Sequence, residues 1–195
     1  MNRTFKLACI AMLTALSVAS NFLTIQLVPN LAAVSLTITV GFLTGIYFGI
    51  VPAIIVGYMG DLIAHLIYPY GPYNWFIALS CTLFGVISAL VYKLSIKSRF
   101  VKLIIALVAT FVVCGCGLNT FGLWLQYKVG VEGGLLGLIE FVTTNKQPAI
   151  SFGTYLYSAR LPFLLLNYAF NGIVVAVLQH TNMIDKLMVR IKEEK

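Results

Sequence analysis

The chain has 195 residues, of which 60% are hydrophobic and only 10% are charged, and its mean hydropathy is +0.96. This composition excludes an ordinary soluble domain and is typical of a membrane protein with several spans. The net charge of +7 does not indicate nucleic-acid binding, because the basic residues gather at the ends of apolar segments instead of forming a stripe interleaved with polar aromatic residues.

Apolar stretches long enough to cross a bilayer recur along the whole chain, since a transmembrane helix needs about 20 such residues. The stretch 31–68 would be roughly 57 Å long as one helix, so we divide it near Gly49 and Pro52, which favour a break. The sequence therefore predicts an all-α membrane protein, a single domain built as a bundle of six transmembrane helices. The predicted spans are residues 7–28, 31–50, 51–68, 74–92, 103–127 and 155–179.

The positive charges predict how these spans are oriented, because Lys and Arg accumulate on the cytoplasmic side of short loops. With the N-terminus inside, only Lys128 and Lys146 among the loop and terminal basic residues fall outside. We therefore expect a plasma-membrane protein with both termini in the cytoplasm. The connection 129–153 is then an outer loop, which either folds over an opening as a lid or rests on the lipid surface.

Two charged residues lie inside stretches that are otherwise uncharged. Arg160 lies within residues 151–179, and Asp61 is the only charge between Lys6 and Lys93. A charged side chain at the centre of a membrane helix costs about 2.5–3.5 kcal/mol on insertion scales, so it normally faces a protein interior or a wet cavity. We expect a ligand site at these two residues, and a direct Asp61–Arg160 ion pair is the alternative.

Polar side chains converge on the outer half of the predicted bundle. This asymmetry predicts a cavity that opens to the outside above a sealed apolar half, whereas a pore would need polar groups along its whole length. An ordinary interfacial belt is the alternative explanation for the Tyr and Trp residues. The predicted substrate-binding residues are Arg160, Asp61, Asn119, Thr120, Tyr73, Asn74, Trp75 and Trp124.

The sequence offers little for catalysis or for a bound cofactor. Asp61 and His65 are four residues apart and share a helix face, but no third metal ligand occurs at matching depth on another span. No P-loop sequence is present to cradle ATP, and no nucleophile stands with a base. We therefore expect no metal site, no cofactor and no enzymatic activity.

A stripe of small residues marks the first span. Ala11, Ala15 and Ala19 recur every four residues and so lie on one side of the helix. Small side chains at this spacing let another helix approach closely. The stripe therefore predicts a docking face, used either by a partner or by the chain's own bundle.

The six spans, the basic cytoplasmic loops and the alanine stripe together resemble the substrate-binding S components of energy-coupling factor (ECF) vitamin transporters. Within that family, the chain is most similar to the folate-specific members. The segments that carry this likeness are Gly60-Asp61-Leu62, Tyr68-Pro69-Tyr70-Gly71-Pro72-Tyr73, Leu118-Asn119-Thr120 and Arg160-Leu161-Pro162. The chain departs from the folate-specific pattern at residues 74–76 and after Arg160, so pantothenate, a queuosine precursor or another vitamin are alternative ligands.

The resemblance implies both partners and a ligand. In that family the alanine stripe docks on a transmembrane T component, which two cytoplasmic ATPases drive, and the S component delivers a vitamin taken from outside. Folate suits these residues, because Arg160 can hold a carboxylate bidentately and Asp61 or Asn119 can accept hydrogen bonds from the edge of the pterin. Aromatic side chains can stack on the pterin ring. The rival interpretations are a self-sufficient channel or secondary carrier, and an intramembrane enzyme using Asp61 and His65.

Overall fold

The computed structural model describes residues 3–22, 25–28, 32–69, 72–130, 135–144 and 148–181. Seven helices and one two-stranded hairpin make up this part of the chain. They are α1 (Arg3–Phe22), β1 (Ile25–Val28), β2 (Ala32–Val34), α2 (Thr37–Phe48), α3 (Ile50–Ile67), α4 (Trp75–Lys93), α5 (Arg99–Val129), α6 (Leu135–Thr144) and α7 (Phe152–His180). Residues 185–195, which the sequence predicts to be a short cytoplasmic helix end or tail, lie outside the described residues.

Five of the seven helices in the described part of the chain are long and apolar enough to cross a membrane, namely α1, α3, α4, α5 and α7. The prediction of a helical membrane protein is confirmed at this level. Helix α2 differs, because its 12 residues reach only about 18 Å at about 1.5 Å per residue. That is less than the thickness of a hydrocarbon core, about 30 Å. The span predicted at 31–50 is therefore too short as a helix, because its helical part begins only at Thr37.

The facing ends of the first two predicted spans are not helical, which corrects the bounds predicted for these two spans. Helix α1 ends at Phe22 instead of residue 28, and β1 pairs with β2 in antiparallel register, with Ile25 opposite Val34. Pro29, which the sequence places between the strands, cannot continue a helix, and β-branched residues favour extended backbone. Apolar composition alone could not distinguish these strands from helix.

The predicted break between the second and third spans lies at Gly49. This residue separates α2 from α3 with φ of +89°, a conformation that glycine adopts without steric cost. Pro52 lies in the first turn of α3, where its missing N–H removes no helical hydrogen bond. The two residues therefore turn the chain sharply from one helix into the next.

Helices α2, α3 and α4 approach closely because glycines face backbone atoms at their contacts. A Cβ added at Gly57 would lie 2.7 Å from the Cα of Thr82, and one at Gly85 would lie 2.8 Å from the carbonyl oxygen of Gly41. Small residues at such contacts hold membrane helices together without a hydrophobic drive. The three helices are therefore closely packed against one another.

Helices α5 and α7 contain widened π-helical turns at Phe111–Asn119 and Tyr155–Arg160. In α7 the widened segment comes just before Pro162, whose ring crowds the carbonyl four residues earlier in a regular helix. In α5 the Thr120 hydroxyl donates to the Gly115 carbonyl, five residues earlier, at 2.7 Å. Such segments frequently occur at functional sites.

The connection between α5 and α7 carries α6 and is fastened to both neighbours. The Trp124 indole N–H donates to the Ile150 carbonyl at 2.8 Å, and the Ala149 amide donates to the Lys128 carbonyl at 3.1 Å. The Phe141 ring of α6 packs edge-on against Trp124, with ring centroids 5.6 Å apart. The described parts of this connection therefore lie on the ends of α5 and α7.

The two ends of the bundle differ in composition. The connection from α4 to α5 and the flanking helix ends carry Lys93, Lys97, Arg99 and Lys102, and we call this the basic end. Large apolar side chains fill the half of the bundle next to it. They include Phe42, Phe84, Val91, Leu103 and Val175, all buried in one core cluster. The opposite half holds the cavity, and a second apolar cluster around Trp124, Leu125 and Tyr155 packs there.

Candidate ligand-binding site

A cavity of about 330 Å³ lies between α1, α2, α3, α4, α5 and α7, in the half of the bundle opposite the basic end. Its volume falls within the range of about 300–1,000 Å³ that small-molecule sites occupy. The polar side chains in its lining include Asn21, Asp61, His65, Tyr73, Asn74, Asn119, Gln126, Arg160 and Asn167. The aromatic lining comes from Phe22, Tyr68, Tyr73, Phe84, Tyr127, Phe163 and Tyr168.

Arg160 forms part of the cavity wall and is only 8% exposed. Its Nη2 donates a hydrogen bond to Oδ1 of Asn119 at 2.8 Å. Each of these residues ends a π-helical segment, so the widened turns of α5 and α7 bring the guanidinium and the amide together. Because the amide is neutral, this contact orients the guanidinium and leaves its positive charge in place.

Asp61 lines the cavity from α3. The Cys81 thiol of α4 donates to its Oδ1, with a sulfur-to-oxygen distance of 3.8 Å. The nearby Tyr73 hydroxyl is also buried, and burial followed by the negative charge of Asp61 raises the pKa of Tyr73. Tyr73 therefore keeps its proton and can donate a hydrogen bond at this side of the cavity.

Asp61 and Arg160 do not form the direct ion pair that was the alternative to a ligand site. Among the described residues, Asp61 and Arg160 contact different neutral partners, a thiol for Asp61 and the Asn119 amide for Arg160. A cavity with a carboxylate and a guanidinium on separate wall segments can bind a ligand that carries both hydrogen-bond donors and an anionic group.

Asn74 lines the cavity and also caps α4. Its Oδ1 accepts from the amides of Phe76 and Ile77 at 3.1 and 3.4 Å, and its Nδ2 donates to Gln126 at 3.0 Å. Side-chain caps satisfy the amides that a helix start leaves without partners. The Asn74 side chain thus fixes the start of α4 and joins it to α5.

Five of the eight predicted site residues meet at the cavity, namely Arg160, Asp61, Asn119, Tyr73 and Asn74, and the other three do not line it. Thr120 is fully buried and bonded within its own helix, while Trp75 is 55% exposed on the outside of the bundle. Trp124 is buried beside α6. Consecutive helical residues point about 100° apart, so Asn119 and Thr120 cannot face the same space.

Asn167, which lines the cavity from α7, was not among the predicted site residues. Arg160, Asn167 and Asn171 are spaced by seven and four residues, which places all three on one helix face. This spacing was the available signal.

His65 lies beside Tyr73, with ring centroids 5.0 Å apart in an edge-on arrangement. Within the part of the chain that the structure describes, no group of three or more His, Cys, Asp or Glu residues is placed to hold a metal ion. The described lining therefore offers hydrogen bonds, charge and aromatic surface to a ligand.

No protein-family model matches the sequence, and no curated protein matches it either. A solved structure of the S component of a bacterial ECF transporter matches the fold with a TM-score of 0.59, covering 95% of this chain and 99% of that chain at 19% identity. The chain has the fold of that S component. At this identity the likeness shows the fold alone.

Proposed function

We propose that the chain is the substrate-binding S component of an ECF-type transporter, which binds a vitamin from outside the cell and delivers it for ATP-driven uptake by partner subunits. Folate is the ligand that we favour. The observation that carries the proposal is Arg160, buried in the wall of a cavity and oriented by Asn119, in a chain with an S-component fold. An anionic ligand gives such a charge its function.

The two charged parts of the lining suit the two ends of folate. Arg160 takes a carboxylate of the glutamate tail, because a guanidinium binds carboxylates bidentately. Asp61 accepts hydrogen bonds from the adjacent N–H groups of the pterin, and Tyr73 lies beside it. Stacking surface comes from the aromatic lining, including Tyr68 and Phe163, instead of from Trp75 and Trp124.

The proposed topology has six spans, with α2 and the preceding hairpin together taking the place of the second span. Both termini and the basic end are cytoplasmic, and the cavity opens to the outside of the plasma membrane. The distribution of Lys and Arg supports this orientation. The apolar core beneath the cavity supports a binding subunit rather than a self-sufficient channel, since large apolar side chains of the described residues fill that half of the bundle.

The proposed partners are a transmembrane T component and two cytoplasmic ATPases. Supporting this, Ala11 and Ala15 are exposed and Ala19 is half-buried, so most of the stripe is not used for packing within the described bundle. The buried face of α1 carries Ser17 and Ser20 instead. An exposed stripe of small residues in a membrane helix offers close approach to a second protein.

The experiment measures the binding of folic acid to the purified protein in lipid nanodiscs by isothermal titration calorimetry. Arg160→Ala is expected to lower the affinity by at least about 100-fold, because a charge-assisted bidentate contact is lost. Arg99→Ala is the matched control, since Arg99 is exposed at the basic end and outside the cavity lining. Near-normal affinity in a folded Arg160→Ala protein would remove Arg160 from the site.

Ultraviolet absorbance of any co-purified ligand provides an independent check on its chemical class, because a pterin, a flavin and pantothenate absorb differently. A parallel titration with pantothenate tests the main alternative. Binding of pantothenate without binding of folic acid would overturn folate as the ligand and leave the vitamin-binding S component standing.

A further inference from the structure

The amide of Asn171 is fully buried in α7 and bonds to the segment of chain that begins α2. Its Oδ1 accepts from the backbone N–H of Thr39 at 3.0 Å and from the Thr39 hydroxyl at 2.7 Å. Its Nδ2 donates to the carbonyl oxygen of Ser35 at 2.8 Å. One side chain thus holds residues on both sides of the α2 start.

These bonds replace a helix cap that α2 does not have. The residue before α2 is Leu36, which has no side chain able to accept from the first amides of the helix. Such amides lack partners within their own helix, and leaving one buried without a partner costs free energy. Asn171 supplies the acceptor for Thr39 from a neighbouring helix.

Asn167 strengthens the same connection from one turn earlier in α7. Its Oδ1 accepts from the Ser35 amide at 3.3 Å and from Nδ2 of Asn171 at 3.0 Å. The two asparagines and the segment 35–39 therefore form one hydrogen-bonded unit, in which every contact joins described residues.

This unit borders the cavity. Ser35, Thr37 and Ile38 line the cavity from the α2 side, and Asn167 lines it from α7, whereas Asn171 does not reach it. The same helix carries Arg160, seven residues before Asn167. Asn171 thus joins the wall formed by residues 35–38 to the helix that carries the cationic side chain.

We propose that Asn171 is a positioning residue that fixes the 35–39 wall against α7 and thereby sets the affinity of the cavity for its ligand without touching the ligand. Binding requires the two walls at a fixed separation, and displacements of about 1 Å weaken polar contacts strongly. The effect on ligand binding rests on the proposed function, whereas the effect on the wall does not.

The first test measures the wall in the absence of ligand. Hydrogen–deuterium exchange of the purified protein in nanodiscs is compared for the wild type, Asn171→Leu and Thr39→Val. We expect faster exchange in peptides covering residues 35–39 in both variants, with exchange in α3 and α5 unchanged. Thr39→Val is the milder variant and keeps the test valid if Asn171→Leu does not fold.

Thr44→Val is the matched control for these variants. Thr44 lies on α2, as Thr39 does, and is fully buried. Its hydroxyl, however, donates only to the Val40 carbonyl of α2 itself, at 2.7 Å. We expect its exchange at residues 35–39 to equal that of the wild type. Faster exchange throughout the protein in Asn171→Leu and Thr39→Val would indicate a general loss of stability and overturn the positioning role.

The second test measures folic acid affinity in the same proteins. Asn171→Leu is expected to weaken binding by about tenfold or more, and Thr44→Val by less than about twofold. Combining Asn171→Leu with Thr39→Val should add little further loss, because both remove the same contact. Unchanged exchange at residues 35–39, or unchanged affinity despite a loosened wall, would overturn the proposal. If the wild type binds no folic acid, the folate assignment fails and the exchange test still decides the wall's anchoring.

Discussion

Arg160 and Asn119 illustrate how single side chains prepare the cavity for a ligand. The bond between them at 2.8 Å fixes one edge of the guanidinium before any ligand arrives. A side chain that is already oriented loses less rotational freedom on binding, so more of each contact appears as affinity. On the proposed function, Asn119 acts on the ligand mainly through this orientation.

Asp61 has a separable role in the proposed binding of folate. Asp61→Asn is expected to weaken folic acid binding by about tenfold to 100-fold, because hydrogen bonds to a charged group contribute about 1.5–3 kcal/mol. The control ligand is p-aminobenzoylglutamate, which has the folate tail and no pterin. Calorimetry should show that it binds weakly, that its affinity depends on Arg160, and that Asp61→Asn does not change its affinity. Equal loss for both ligands would contradict the assignment of the two ends.

The sequence identified the residues of the site better than their orientations. Asp61 and Arg160 stood out because charge is rare in apolar segments, and the structure places both at the cavity. Trp75 and Trp124 were predicted from depth alone, and depth does not determine which side of a helix a residue occupies. Asn167 was missed for the converse reason, since its face follows only from the phase of α7.

At the scale of helices, length and apolarity were informative for the later part of the chain. Helices α3 and α4 begin and end within one residue of the predicted bounds. The predictions were wrong at the end of α1 and the start of α2, where apolar residues form a hairpin. The anchoring of Ser35 by Asn167 of α7 joins residues 132 positions apart, and no local pattern reports it.

The close contact among α2, α3 and α4 predicts a sharp cost for one methyl group. A Cβ at Gly85 would lie 2.6 Å from the Ala53 Cβ and 2.8 Å from the Gly41 carbonyl, so Gly85→Ala should destabilise the protein by about 1–3 kcal/mol. The measurement is the thermal unfolding temperature in detergent.

Gly153→Ala is the control for this substitution. Gly153 is helical and nothing lies within 4 Å of the added Cβ, so alanine should be neutral or slightly stabilising, by about 0.5–1 kcal/mol at most. Equal unfolding temperatures for Gly85→Ala and the wild type would mean that the helices can separate without cost.

For the whole molecule, the outward alanine stripe of α1 predicts a partner contact that is independent of ligand binding. Ala15→Trp should prevent co-purification with a tagged T component and its ATPases, because the large ring blocks close helix approach. Folic acid affinity should be unchanged, since Ala15 does not line the cavity.

Ile173→Trp is the matched control, because Ile173 is 65% exposed on α7, away from the stripe. It adds the same ring to a different outer surface and should leave co-purification intact. Loss of the partners in both variants would point to a general disturbance of the bundle, and loss in neither would exclude the stripe as the docking face.

The proposed orientation predicts opposite labelling of two exposed serines. Ser98 lies at the basic end and Ser151 at the start of α7. In intact cells an impermeant thiol reagent should label Ser151→Cys and not Ser98→Cys, and inside-out vesicles should give the reverse. The unsubstituted chain supplies the background, since its cysteines are buried or half-buried. Reversed labelling would invert the topology.

The late start of α2 also helps to leave space for a ligand within the bundle. This helix contacts α1, α3, α4 and α7, yet its regular turns begin only at Thr37, so the longer helices around it continue past its first turn. On this side the wall of the hollow is formed by Ser35, Thr37 and Ile38, at the start of that helix. Moving that start by one turn would change the depth of the hollow by about 5.4 Å while the surrounding helices stayed where they are.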